Sequence, residues 1–315
     1  MTARIIMRLR VEALEADTPE VLRLTLRHPR RPLLPAFTAG AHVDVRLPDG
    51  RTRQYSLCGE PGEAETWQLA IKREDAGRGV SRWLHGEVTA GGDLMVSAPR
   101  NNFPVAEGAG RHVLVAGGIG VTPLLAMARV LAARGEAFTL HFCARSAALA
   151  PLLAEARAVC GDRLVTWFAD EGRRFDAALI GPAEAGAHLY ACGPERLTEA
   201  VLDHARAGGW AEENLHAEHF QATPDENFKA EPFEITLAST GQRLLVPADR
   251  SALEVLREAG LSMPSSCELG ICGACICEYR DGIVLHRDKV LPVAARQHRM
   301  TPCVSRARVG VTLEL

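Results

Sequence analysis

The 315-residue chain has no apolar run of about 18 residues, so no transmembrane helix and no membrane partner are expected. The N-terminal stretch MTARIIMRLRVEALEAD lacks the long apolar segment of a signal peptide, and a cytoplasmic location is expected. Neither sign of charge dominates. Lys and Arg number 36 against 39 Asp and Glu, a formal net of −3, which offers nucleic acid no basic footprint. Internal repeats and low-complexity tracts are missing. A hydrophobic share of 47% with 24% charged residues excludes a disordered or collagen-like chain. The length itself predicts two or three domains, at roughly 100–200 residues each.

Nine cysteines is an odd count, which argues against a secreted disulfide framework. Cys58, Cys143, Cys160 and Cys192 are scattered and read as small buried apolar residues. Cys267, Cys272, Cys275 and Cys277 crowd together, and Cys303 follows. Cys267-x4-Cys272-x2-Cys275 with a distant fourth cysteine is the plant-type spacing for a [2Fe-2S] cluster. Gly270 and Gly273 lie among these cysteines, where a loop must curl around a cluster without Cβ clashes. The competing reading is a structural zinc site, but zinc prefers paired C-x2-C knuckles and only one such pair occurs. Cys277 falls outside the spacing and reads as a core cysteine.

Residues 1–107 read as short strands with one helix near Ser81–His85, a pattern that suggests a small antiparallel β-barrel. Asp49-Gly50 between two such strands is a hairpin signal. Residues 108–222 alternate strands and helices, which argues for a Rossmann-like parallel sheet covered on both faces. Residues 223–230 are polar, lack periodicity and read as a linker. Residues 231–315 open with a hairpin. Ser251 to Glu254 then form a capping box before a short helix, and the cysteine loop and further strands follow.

Gly117-Gly118-Ile119-Gly120 lies between a strand and a helix. Backbone N–H groups there can cradle a pyrophosphate, although Pro123 breaks the G-x-G-x-x-G pattern and a plain tight turn is the alternative. Cys192-Gly193-Pro194 ends another strand of the same sheet, as a simple strand–helix turn or as the place where Cys192 meets a nicotinamide. In the barrel region Arg53-Gln54-Tyr55-Ser56 offers a phosphate-pairing guanidinium and a ring for stacking, or an ordinary strand with one charge. Gly77-Arg78-Gly79-Val80-Ser81 leads into the single helix there and forms an anion site.

Taken in order, RQYS, GRGVS, GGIGVTP, CGP and CELGICGAC…C resemble the phthalate dioxygenase reductase and vanillate O-demethylase reductase group. That group lies within the ferredoxin–NADP reductase-like superfamily. The resemblance spans nearly the whole chain. It implies a flavin-binding barrel, a nucleotide domain and a C-terminal β-grasp ferredoxin domain, with FMN, NADH and one [2Fe-2S] cluster. FMN rather than FAD rests on the resemblance alone. Carried over by position, it implies Arg53, Tyr55, Ser56, Ala70, Ile71, Lys72, Arg78, Gly79, Val80, Ser81, Thr122 and Phe220 at the flavin. Gln221-Ala222 departs from the group pattern just after Phe220. Gly117, Gly118, Gly120, Cys192, Gly193 and Pro194 fall at the nucleotide, and Cys267, Cys272, Cys275 and Cys303 at the cluster. Tyr55, Ser56, Thr122 and Cys192 are the expected catalytic set.

The chemistry is coherent. NADH gives up two electrons as a hydride, a plant-type cluster takes one at a time, and a flavin can do both. Arg145 could meet the 2′-phosphate of NADPH, whereas Asp170 and Glu171 would repel it, so NADH is preferred. The resemblance implies the Rieske centre of a separate oxygenase as electron acceptor. No paired Cys-x-His elements occur here, so the chain is not that oxygenase. Residues 231–315 carry ten acidic and ten basic residues, so docking by a strongly charged face is not indicated. The alternatives are a reductase for a di-iron monooxygenase or cytochrome, and a non-catalytic redox sensor or electron carrier. A monomer is expected.

Overall fold

A computed structural model describes residues 5–75, 79–220 and 228–315. Arg78, Gln221 and most of the expected linker lie outside the described residues. The chain forms two compact units, Met1–Glu218 and His219–Leu315. Among the described residues no helix is long and apolar enough to cross a membrane.

The first unit contains an antiparallel sheet and a parallel one. Across the antiparallel sheet the strands run Thr52–Ser56, Ala41–Arg46, Asp93–Ser97, Ile6–Thr18, Val21–Arg27 and Thr66–Lys72. A bridge between Leu57 and Leu69 returns the last strand to the first and closes the barrel. Alternation along Ile6–Thr18 buries Met7, Leu9 and Val11, which pack with Leu24, Leu26, Val43, Val45, Trp67 and Ile71. The Asp49-Gly50 hairpin forms as expected, with Arg46 paired to Thr52 and Gly50 at φ +89°. The helix Val80–Glu87 buries Val80 and Leu84 against this core. Its His85 donates from Nε2 to the Ile71 carbonyl at 2.8 Å.

The five-stranded sheet is wholly parallel, in the order Leu164–Phe168, Phe138–Ala144, Arg111–Gly117, Ala187–Cys192, Leu215–Glu218. The chain builds outward from Arg111–Gly117 to one side and then returns to the other, so the order reverses between Gly117 and Cys192. Ligands of such sheets sit at that reversal, beyond the carboxyl ends of the strands. Val113, Val115, Leu189 and Ala191 pack on Val201, Ala205 and Trp210 on one face. The helix Val121–Arg134 ends at Gly135, φ +67°, whose N–H returns to Ala132 and Leu131. Two features differ from the sequence reading. The run Cys192-Gly193-Pro194, read as a strand–helix turn with its proline at the first helical position, instead places Pro194 as the N-cap of the helix Glu195–Ala207. Leu215–Glu218 is a fifth strand that no apolar run had signalled.

In the second unit the hairpin Phe233–Leu237 and Arg243–Val246 joins Arg306–Leu313 in parallel, with Cys277–Leu285 and Arg299–Met300 beyond. The helix Ala252–Glu258 starts at a complete Ser251–Glu254 capping box and packs Leu256 beneath this sheet, the β-grasp arrangement. Cys277 lies in that core with Phe233, Ile235, Met300 and Leu313, as its place outside the ligand spacing predicts.

Candidate functional site

The four spaced cysteines are all buried. Their sulfurs fall into two pairs. Cys267 shares a hydrogen bond with Cys272, and Cys275 lies 3.3 Å from Cys303. Backbone N–H groups turn inward on them. Leu269 donates to the Cys267 sulfur at 3.3 Å and Ala274 to that of Cys272 at 3.4 Å. Ile271 and Cys272 also donate to Cys267, and Gly270 donates to Cys303. The partner thiol and these N–H groups hold the Cys267 thiol well below its ordinary range. Cys303 does the same for Cys275. Two thiol pairs in a nest of donors fit a two-iron centre, one pair to each iron, with charge-assisted bonds to its sulfurs. Glu268, next to the first cysteine, holds φ +54°, a conformation that costs a non-glycine residue energy. Arg257 at 2.9 Å and the Ser265 hydroxyl at 2.7 Å hold its carboxylate in place.

At the strand reversal of the first unit, glycines let backbone meet backbone. A Cβ on Gly120 would lie 2.1 Å from the Cys192 carbonyl oxygen, and one on Gly193 would lie 2.8 Å from Gly117 Cα. A Cβ on Gly117 would meet Pro194 at 2.6 Å. These glycines therefore bring the two strand ends together. Gly118 is different, with φ +53° and open space where its Cβ would be. It is the glycine of the run that leaves room for a ligand. Thr122 is buried in the first helical turn and donates its hydroxyl to Ile119 O at 2.9 Å. Asp170 is exposed, and its N–H donates to the Arg145 carbonyl at 3.0 Å. The Arg145 guanidinium pairs with Glu20.

Cys192 is fully buried and stands opposite Glu218 in the parallel register. Glu218 accepts a hydrogen bond from the Ser56 hydroxyl of the barrel at 3.4 Å. Burial lifts the Glu218 carboxyl to about 8, with the Ser56 bond pulling the other way. Burial, then the Glu218 charge, pushes the Cys192 thiol well up, so it remains protonated. Ser56, Cys192 and Glu218 thus come together where barrel and parallel sheet meet.

Tyr55, one residue before Ser56, has a buried phenolic oxygen with no hydrogen-bond partner among the described residues, and burial raises its titration well above normal. Such an orphan suits a bound polar group. Arg53 lies on the same strand. At the N-terminus of the helix Val80–Glu87, Gly79 has φ +84°, and a Cβ there would lie 2.5 Å from Arg51 Nη1 and 3.5 Å from Arg82 Nη2. Arg51 pairs with Asp49 at 2.6 Å, and together with Arg82 it brings guanidinium donors to a helix N-terminus, which suits a phosphate. The Ser81 hydroxyl is engaged with the Glu74 backbone, at 3.0 Å to its N–H and 3.4 Å to its carbonyl. Val80 is a core residue, and Ala70 and Ile71 are buried on the strand that closes the barrel. Lys72 is half exposed, 3.9 Å from Glu20. Phe220 falls in the second unit.

Residues 235–308 match the 2Fe-2S iron-sulfur cluster binding domain. The vanillate O-demethylase oxidoreductase of Pseudomonas sp. (strain HR199 / DSM 7063) is 42% identical over 95% of this chain and 96% of its own length. The chain belongs to the family of oxygenase reductases. The solved phthalate dioxygenase reductase, a modular structure for electron transfer from pyridine nucleotides to [2Fe-2S], is similar to this reductase at 35% identity and TM-score 0.73. That match covers 98% of both chains. An intact type IV self-sufficient cytochrome P450 monooxygenase is similar at 39% identity and TM-score 0.90. The match covers 99% of this chain and 41% of that longer one.

Sequence reasoning missed Glu218, Arg51 and Arg82 in this reductase. Glu218 sits on the polar strand that gave no apolar signal. The guanidiniums had a readable cue, since Arg51 precedes Arg53 by two residues and Arg82 follows Ser81.

Proposed function

We propose that this chain is the NADH-dependent reductase of a Rieske-type oxygenase, a monomer carrying FMN and one [2Fe-2S] cluster. The modules are residues 1–107 for the flavin, 108–222 for the nucleotide and 231–315 for the cluster. The observation that carries this reading is the pair of buried thiol pairs in one chain with a glycine turn at the sheet reversal whose Gly118 is open. A bound flavin supplies conversion of a hydride into single electrons.

The protein's own groups then have distinct tasks. Arg51, Arg82 and the N–H groups after Gly79 bind the flavin phosphate. Arg53 adds positive charge along the same strand. Tyr55 presents its orphaned hydroxyl to the flavin. The open face of Gly118 and the first turn of Val121–Arg134 receive the pyrophosphate. Ser56, with Glu218 behind it, holds a proton position beside the reacting ring. Cys192, kept neutral, limits how the nicotinamide can approach. Arg145 is neutralised by Glu20, which favours NADH because the 2′-phosphate of NADPH needs a free cation.

A haem or di-iron monooxygenase as acceptor is the second reading, supported by the similarity to the self-sufficient P450. Stopped-flow reoxidation of the reduced protein by purified candidates separates them. The experiment for the whole reading is Cys272→Ser. It should leave NADH–ferricyanide turnover largely intact and abolish transfer to the oxygenase. Undiminished transfer would overturn the cluster as exit route, and absent NADH–ferricyanide turnover in the wild type would favour a non-catalytic carrier.

A further inference from the structure

We propose that Asp288, held by His286 and Arg296, is a positioning residue for the iron–sulfur loop. The inference rests on the reading of Cys267, Cys272, Cys275 and Cys303 as cluster ligands. Asp288 is not one of them, and nothing in the spacing of the cysteines points to it. Its side chain is wholly buried, an unusual place for a carboxylate.

The surroundings of Asp288 account for that burial. Oδ2 accepts the N–H of Leu291 at 2.8 Å and lies 3.7 Å from Arg296 Nη2. The same guanidinium donates to the Asp288 carbonyl at 2.8 Å, so it grips this residue by backbone and side chain. Among the described residues Oδ1 has no hydrogen-bond partner but faces His286 Nδ1 at 3.5 Å, and that nitrogen also has none. The other nitrogen of the ring, Nε2, lies 2.9 Å from the Arg296 carbonyl, which can only accept, so Nε2 carries a hydrogen. Two bare acceptors would then face each other unless a proton sits between Nδ1 and Oδ1. Tyr279 donates to the same Arg296 carbonyl at 2.7 Å and completes the enclosure.

This cluster of side chains presses on the cysteine loop at one point. The next residue, Lys289, donates its N–H to Gly270 O at 3.0 Å. Gly270 in turn donates its own N–H to the Cys303 sulfur. A Cβ at Gly270 would lie 3.1 Å from Asp288 Cα and 2.6 Å from a methyl of Val304, so the loop is wedged between the Asp288 segment and the neighbour of the fourth cysteine. The path is short: Asp288 fixes its own backbone, that backbone fixes Gly270, and Gly270 fixes a donor on a ligand sulfur. Hydrogen bonds to the sulfurs and solvent exposure set the potential of such clusters. Loosening Asp288 therefore weakens one bond to a ligand sulfur, and losing a donor that stabilises the more negative reduced cluster lowers its potential.

The test uses full-length holoprotein. Asp288→Ala should shift the cluster midpoint potential downward in a dye-mediated titration and change the EPR line shape of the reduced cluster. It should also speed cluster loss to a chelator several-fold. Asp288→Asn keeps an acceptor for Leu291 and offers an N–H to His286 Nδ1, so it should restore line shape and loss rate close to wild type. Bound flavin and NADH–ferricyanide turnover should be unchanged in both. If Asp288→Ala cannot hold its cluster, His286→Gln must show the same changes in smaller measure. Wild-type potential, line shape and loss rate in Asp288→Ala, or in a cluster-bearing His286→Gln, would overturn the proposal. Iron-free or zinc-loaded wild type would overturn it by a separate route, through the reading of the loop itself.

Discussion

Burial gives Glu218 its character, and that character can be titrated. Burial pushes its carboxyl up to about 8 in the folded protein, well above an ordinary carboxylate. The folded form therefore binds this proton more tightly than the unfolded chain does. Stability is fully present below the unfolded value and is lost as pH rises through about 8. The slope from this group is at most about 1.4 kcal/mol per pH unit. Thermal unfolding of the first unit, followed by flavin fluorescence, should show a midpoint that falls between pH 5 and 8, and Glu218→Gln should flatten that fall. A wild-type midpoint insensitive to pH across this window would contradict the buried carboxyl. Ser56→Ala removes the hydroxyl that reaches this group and should slow flavin reduction by NADH about tenfold, or roughly 1.4 kcal/mol of barrier, in stopped-flow. An unchanged rate would remove Ser56 from the reacting set. The cluster cysteines were legible in the sequence because their spacing is itself the chemistry. Glu218 was not, because its partner Ser56 is 162 residues away and only the fold brings the two together.

Secondary-structure elements separate glycines that look alike in the sequence. Gly120→Ala drives a Cβ into the Cys192 carbonyl, with backbone on both sides and no side chain to give way. It should lower the midpoint of the first unit by several degrees, about 1–3 kcal/mol for overpacking. Gly118→Ala meets open space and pays only for its positive φ, about 1 kcal/mol. It should fold, bind flavin and raise the KM for NADH. Calorimetry and steady-state kinetics on the two variants check this, and equal stability losses with equal KM would contradict it. The glycine run was legible as a turn that favours close approach. Which of its members face a ligand and which face another strand depends on the sheet register, which the run itself does not contain. The strand Leu215–Glu218 was illegible for a related reason. Its sequence LHAE alternates apolar with His and Glu, and all four residues are half-buried, so it lacks the apolar run by which buried parallel strands are recognised. At the helix Ala252–Glu258 the local code was sufficient, and Ser251→Ala should cost about 1 kcal/mol.

At the scale of the molecule, the order of barrel, parallel sheet and cysteine loop was readable because each has its own pattern: alternation, strand–helix repetition and ligand spacing. The closure of the barrel by Leu57 and Leu69 was not, since no hairpin links those residues. Nucleotide choice also belongs here, because Glu20 of the barrel neutralises Arg145 of the parallel sheet. Glu20→Gln should free that guanidinium and raise kcat/KM for NADPH relative to NADH. A ratio unchanged by the substitution would show that the ion pair has no part in the choice.

The central claim is that one chain takes electrons in pairs and gives them out singly. An anaerobic NADH titration of the purified protein, followed by visible absorption and low-temperature EPR, tests it most directly. The expected result is bleaching of flavin and iron–sulfur bands together, with the EPR signal of a reduced [2Fe-2S] centre at about one spin per chain. Loss of flavin colour alone, with an EPR-silent protein whose cysteines hold zinc, would contradict it.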